Sequence, residues 1–318
     1  MGREFDLIAK YFTRPVPAGY VGVGDDCALM PLTPGKQLAV SVDLLVEGRH
    51  FFSDTNPHCL GHKALAVNLS DLAASGARPL GCVLGLSLPT INEDWLTAFS
   101  TGFFALADQA ACPLVGGDTT GGVSAITLSV TVFGEVDPAK TLHRAAGQIN
   151  DDIWVTGQLG GAHTALRLLQ GQWPQDSTLL AATRADLERP LPPLQFAQGL
   201  GALAHAALDI SDGFAQDLGH ILTASRCGAV VHYPQLPVHP ALCSLPPLLQ
   251  QEAVLGGGDV YQLCFTASPA SRQALAHLAT QHGILLTRVG QLVAQPGLVV
   301  LDQNGQPMNP ALRGYEHF

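Results

Sequence analysis

Residues 57–79, PHCLGHKALAVNLSDLAASGARP, read as one long helix that stops at Gly76 and Pro79. The segments flanking it read as strands. Upstream, KQLAVSVDLLV (36–46) alternates in the manner of a half-buried strand; downstream, LGCVLGLSLP (80–89) gives a second one. A second long helix follows in INEDWLTAFSTGFFALADQAACP (91–113), and a third good strand in VSAITLSVTVFGEV (123–136). With REFDLIAKYF (3–12) as a helix at the start, the first half mixes strands with long helices, which predicts a layered α/β or α+β domain.

HRAAGQINDD (143–152) is a polar interruption, and the domain boundary is placed near residues 138–150, giving domains 1–140 and 148–318. The second half restarts with strand, glycine turn and helix in DIWVTGQLGGAHTALRLLQ (152–170). WPQDSTLLAATRADLERPLPPLQ (173–195) reads as an insertion or connecting arm. FAQGLGALAHAALDISDGFAQDLGHILTASRCG (196–228) suggests two helices interrupted at the Ile-Ser-Asp-Gly turn. Residues 259–292 give strand, helix and strand, and no segment recurs as a repeat.

Composition narrows the function. Of 318 residues, 47% are hydrophobic and 13% charged, the profile of a chain with a large core rather than a disordered one. A net charge of −10 argues against a nonspecific grip on nucleic acid, which needs a basic field. The N-terminus does not read as a signal peptide and no apolar run reaches the length of a membrane span, so the expectation is a cytoplasmic protein. None of the seven cysteines forms a C-x-x-C pair; several sit in apolar contexts (GCVLGL, YQLCFT) and read as small buried hydrophobes. His58 and His62, one turn apart, lack an H-E-x-x-H frame and read as helix-surface residues.

Charge is used sparingly, and a set of aspartates is placed beside apolar runs. GVGDDCAL (22–29) carries Asp25 and Asp26, SVDLLVEGRH Asp43, NLSDLAASGA Asp71, LVGGDTTGG Asp118, and LDISDG Asp209 and Asp212. One aspartate in a turn commonly caps it. Five such segments suggest carboxylates gathered at the ends of core elements. Mg²⁺ prefers hard oxygen ligands and reaches phosphates through a few carboxylates, so this set suits a metal–phosphate site. Ser41 shares a strand face with Asp43, and Asp118 reads as lying at a glycine-loosened strand end. Asp209 and Asp212 have helical same-face spacing. No G-x-x-x-x-G-K-[ST] loop is present, and the turn TGQLGGAHTAL (156–166) is a weak phosphate-binding signal.

These segments, with EFDLIAKYF, VEGRHF and the terminal GYEHF, resemble the thiamine-monophosphate kinase family, related to aminoimidazole ribonucleotide synthetase. The resemblance runs from residue 4 to 318. It implies a two-domain fold, an N-terminal mixed sheet with helices followed by a C-terminal α/β domain, and a homodimer built through the N-terminal sheets. It implies transfer of the ATP γ-phosphoryl group to thiamine monophosphate with several Mg²⁺ ions. Asp26, Ser41, Asp43, Asp71, Asp118, Asp209 and Asp212 would hold the metals, with a backbone carbonyl serving at Val42, where the family usually has threonine. Gly117, Asp118, Arg144 and Ser211 would contact ATP; His50, Asp259 and Tyr315 would contact the acceptor. In GGGDVYQLCF, where the family pattern is close to GGEDYEL, Asp259 stands one methylene short of glutamate, Val260 replaces aspartate and Gln262 replaces glutamate. The glycine turn, reading GGAHTA, also lacks the usual small polar or acidic residue.

Overall fold

The computed structural model describes residues 3–122 and 124–308. The chain divides into two compact units, one formed by the residues up to Leu72 with Ala77–Pro138, the other by Ala73–Gly76 with the residues from Ala139 onward. In the first unit α1 (Arg3–Tyr11), β1 (Gln37–Val46), α2 (Pro57–Ser75), β2 (Arg78–Leu88), α3 (Glu93–Ala110), β3 (Leu114–Gly121) and β4 (Thr127–Val136) follow in order. The sheet runs β1-β4-β2-β3, antiparallel except for the β2–β3 pair. The strand LVGGDTTG was expected only as a strand end at Asp118, and it runs on to Gly121. Its three glycines and two threonines give no apolar alternation, and it is held by parallel pairing to β2.

α2 is apolar nearly all round and buried from Leu60 to Ser70 with one break at His62, which is half-buried like His58. Its contact with α3 is backbone to backbone. A Cβ at Gly61 would strike the Phe99 carbonyl, and one at Gly102 would strike the His58 carbonyl. Asn92 caps α3 by accepting from the Trp95 N–H at 3.0 Å.

The second unit contains β5 (Asp152–Thr156), α4 (Gly161–Leu169), α5 (Ser177–Glu188), α6 (Leu194–Leu200), β6 (Ala206–Asp209), α7 (Phe214–Ser225), β7 (Gly228–His232), α8 (Pro247–Gln251), β8 (Leu263–Ala267), α9 (Arg272–His282), β9 (Leu286–Val293) and β10 (Gly297–Leu301). Its sheet runs β10-β7-β9-β5-β8-β6. Two sequence expectations are corrected here. The segment around 177–188, expected as an insertion or connecting arm, is a regular helix capped by Asp176, which accepts from Leu179 N at 2.9 Å. AALD at 206–209 is a strand rather than a helix, because burial in the sheet overrides the helical preference of its alanines. The buried Asp152 on β5 ties α9 to the sheet through Arg272, at 2.6 and 2.8 Å, and takes Arg288 at 3.2 Å. Burial alone would raise that carboxyl; the arginine hydrogen bonds hold it below the usual carboxylate range.

Cys82, Cys112, Cys227 and Cys264 are buried, all but Cys227 completely, as small hydrophobes. Among the described residues no helix is long and apolar enough to cross a membrane.

Glycine packing gives a test. Gly102→Ala is expected to lose about 3 kcal/mol or more, because the added methyl meets backbone that cannot yield. Gly219→Ala on α7, where nothing lies within 4 Å, should instead gain about 0.5–1 kcal/mol from helix propensity. Denaturant unfolding of both variants checks the opposite signs.

Candidate active site

In the first unit the alternation of β1 sorts its side chains onto two faces. Ser41 and Asp43 lie half-buried on one of them. Leu38, Val40, Val42 and Leu44 form an apolar stripe on the other, each more than 50% exposed. The Val42 side chain is therefore turned away from Asp43, and only its backbone is available to the carboxylate face. Ser41 Oγ donates to Asp71 Oδ2 on α2 at 2.5 Å. Asn68, one helical turn before Asp71, accepts the Asp43 N–H at 2.9 Å while its amide donates to the Ala64 carbonyl at 3.1 Å. Burial, and after it the charge of Asp71, pushes the Asp43 carboxyl up to about 6. Both aspartates lie inside their elements, not at element ends as the sequence suggested.

Asp118 is likewise interior to β3, opposite Gly85 on β2, and is exposed. The preceding Gly117 is required. Its φ is 154°, and a Cβ there would strike the Leu84 carbonyl. Asp26 is exposed on its loop, its N–H donated to Asp25 Oδ1 at 2.9 Å. Beyond β1, the Nδ1 of His50 accepts the Val46 N–H at 3.0 Å and the His50 N–H donates to the Val46 carbonyl at 2.9 Å, closing the turn. With Nδ1 an acceptor, the neutral ring carries its proton on Nε2.

In the second unit two loops are stitched together by backbone. Ile210 N donates to the Gln262 carbonyl, Tyr261 N to the Ile210 carbonyl and Asp259 N to the Ser211 carbonyl, all at 2.8 Å. A Cβ at Gly258 would strike the Ser211 carbonyl, and one at Gly213 would come within 2.7 Å of the Gly256 carbonyl. Asp209 ends β6, is 6% exposed and faces Leu263 of β8. Asp209 and Asp212 thus occupy a strand end and a loop, not one helix face. Asp217, in the first turn of α7, accepts the N–H groups of Asp212 and Gly213 at 3.0 Å each. Burial pushes its carboxyl up to about 6 against those two bonds. Arg144 opens a short 3-10 turn whose first carbonyl accepts from Ser225 Oγ at 2.9 Å.

The departures from the family pattern have local reasons. Gln262 accepts from Thr156 Oγ1 at 2.9 Å and donates to the Leu191 carbonyl at 3.0 Å, two roles that an ionised glutamate could not combine. Val260 packs against the core of this unit. Asn68, Asp217 and Tyr261 are contributors that sequence reasoning missed; Asn68 lies in the same NLSD motif as Asp71. Tyr315 lies outside the described residues. Among the described residues no three His, Cys, Asp or Glu side chains are grouped to hold a metal.

Comparison with known proteins places the chain. The model of the AIR synthase related protein N-terminal domain matches residues 24–136, and that of the C-terminal domain matches residues 148–303. Thiamine-monophosphate kinase of Escherichia coli strain K12 is 39% identical over 99% of this chain and 98% of its own. The crystal structure of thiamine-monophosphate kinase from Stenotrophomonas maltophilia superposes with a TM-score of 0.83 at 44% identity, covering 91% of this chain and 92% of that one. AaThiL complexed with AMPPCP and TMP superposes with a TM-score of 0.77 at 26% identity, covering 91% and 90%.

The opposed pair Asp43–Asp71 yields a sign. Asp43 has a raised folded-state pKa, so its charge destabilises the metal-free fold above about pH 6, and the penalty disappears as pH falls toward the unfolded value near 4. Asp43→Asn should raise metal-free stability at pH 8 by about 1–2 kcal/mol, with the gain gone at pH 4. Thermal melts of both proteins across that range, in chelator, check it.

Proposed function

The chain belongs to the thiamine-monophosphate kinase family, within the AIR synthase related proteins, and we propose that it transfers the γ-phosphoryl group of ATP in line to thiamine monophosphate, releasing thiamine diphosphate and ADP. It is a phosphotransferase. The observation that carries this reading is a match extending over 99% of the chain to a kinase of that name.

The chemistry of the residues supports it. The acceptor is a phosphate monoester with a second pKa near 6, largely a dianion at neutral pH, so it needs no general base and none is assigned. The obstacle is bringing two anions together. Asp26, Ser41, Asp43, Asp71, Asp118, Asp209 and Asp212, with the Val42 carbonyl, would hold magnesium. Their donors are hard oxygens, and the burial of Asp43 beside the charge of Asp71 favours a cation there. Bound magnesium would neutralise and orient both phosphate-bearing substrates. Arg144 would donate to ATP phosphates together with Ser211, and Gly117 lets the β3 backbone approach the nucleotide beside Asp118. His50, its proton fixed on Nε2, would donate to thiamine monophosphate, which Asp259 and Tyr315 would also contact.

In this reading the N-terminal domain (1–140) carries most of the metal and nucleotide ligands and the dimer surface. The C-terminal domain (148–318) supplies the remainder. The dimer surface we assign is the outward face of β1, where Leu38, Val40, Val42 and Leu44 are each more than 50% exposed on an edge strand. The cytoplasm, where both substrates are phosphorylated small molecules, is the compartment.

Purified protein incubated with ATP, Mg²⁺ and thiamine monophosphate should give thiamine diphosphate and ADP by chromatography. Chelator should abolish turnover, free thiamine should be a poor acceptor, and Asp118→Asn should cut kcat by about a hundredfold or more without rescue by substrate. ATP consumption with some other acceptor and no thiamine diphosphate would overturn the assignment. For the dimer, analytical ultracentrifugation should find a two-chain species that Val40→Glu with Leu44→Glu converts to single chains; a single-chain wild type would refute that surface.

A further inference from the structure

We infer that Tyr261 positions the carboxylate of Asp259 for the acceptor substrate, an inference that rests on the phosphotransfer reading, in which Asp259 meets thiamine monophosphate. The Tyr261 hydroxyl donates to Asp259 Oδ1 at 3.1 Å, across a separation of two residues. Both residues sit in the left-handed backbone region, with φ of 60° at Asp259 and 53° at Tyr261. Aspartate tolerates that region, but a bulky tyrosine rarely enters it. Such a conformation persists only where its surroundings over-determine it, and it concentrates at ligand clamps.

The surroundings do over-determine this one. The backbone bonds from Asp259 and Tyr261 to the Ser211 and Ile210 carbonyls fix both residues in space at 2.8 Å each. A π-helical turn, Glu252–Gly256, leads into the segment. The next residue, Gly257, packs so closely on the buried His163 that a Cβ there would lie 2.6 Å from that of the histidine. With the backbone clamped, the remaining freedom of Asp259 is rotation of its own short side chain, and the phenol hydroxyl holds one of its carboxylate oxygens. The family pattern places a glutamate at this position, whose longer arm could reach a ligand from several rotamers. The shorter aspartate has less reach, so its orientation decides whether it meets the acceptor at all.

The same bond could merely brace the turn, and the readouts are chosen to separate the two roles. Tyr261→Phe, Asp259→Asn and the double variant are compared with wild type in steady-state kinetics, calorimetric binding of thiamine monophosphate, and thermal melting. The expected result for Tyr261→Phe is a rise in KM and Kd for thiamine monophosphate of about tenfold, the loss of one hydrogen bond to a charged group. Its kcat and its KM for ATP should stay within about twofold, and its melting midpoint within about 2 °C. Asp259→Asn should raise the acceptor KM at least as much, and the double variant should be no worse than Asp259→Asn alone, because the tyrosine acts through the carboxylate. An unchanged acceptor KM in Tyr261→Phe overturns the inference, as do losses that multiply in the double variant, or a fall in melting midpoint with both KM values rising together. A wild type that forms no thiamine diphosphate overturns the phosphotransfer reading and this inference with it. An active wild type with an unresponsive Tyr261→Phe overturns the positioning role alone.

Discussion

Burial, and after it the charge of Asp71 on a helix, opposes the ionisation of Asp43 on a strand, and the first unit is arranged to keep the two carboxylates there. Asn68 holds the strand backbone to the helix beside Asp43, and Ser41 donates to Asp71. α2, buried over most of its length and locked to α3 by glycine-mediated backbone contact, cannot turn to relieve the repulsion. A core optimised only for stability would not retain this pair. Its retention is intelligible when a cation completes the site, since a charge that opposes folding then becomes one that binds.

The second unit solves a different problem, the placement of loops. Residues 210–213 and 257–262 carry no regular structure, yet three backbone hydrogen bonds and two glycines with no room for a side chain fix them against one another. Asp217 spends a buried carboxylate on two backbone N–H groups of the same junction. Gln262, a departure from the family pattern, anchors the end of this segment by a bond no glutamate could donate. Substitution at the pattern level and rigidity at the structural level are therefore compatible.

Much of this was legible in the sequence. The 57–75 helix, the strands on either side of it and the acidic residues beside apolar runs were all readable, because long periodic segments and scarce charges are strong signals. β3 was legible only as a strand end at Asp118, since glycines and threonines give a strand no apolar face and its pairing to β2 defines the rest. β6 was mistaken for helix because alanine-rich AALD prefers helix until a sheet buries it. Asn68 and Tyr261 escaped notice for a common reason. Their roles are hydrogen bonds to atoms whose positions depend on the fold, and no spacing rule encodes them.

The pairing of β1 has a consequence for the order in which the chain is made. Residues 37–46 find their sheet partner in residues 127–136, so a ribosome releases the strand long before its mate exists. During that interval LAVSVDLLV is an apolar, β-prone segment with a single charge and nothing to hydrogen-bond against, the kind of stretch that pairs with copies of itself on neighbouring nascent chains. The synthesis rate through residues 47–136, and the supply of chaperones that cover extended apolar segments, therefore govern how much of the protein reaches its native state.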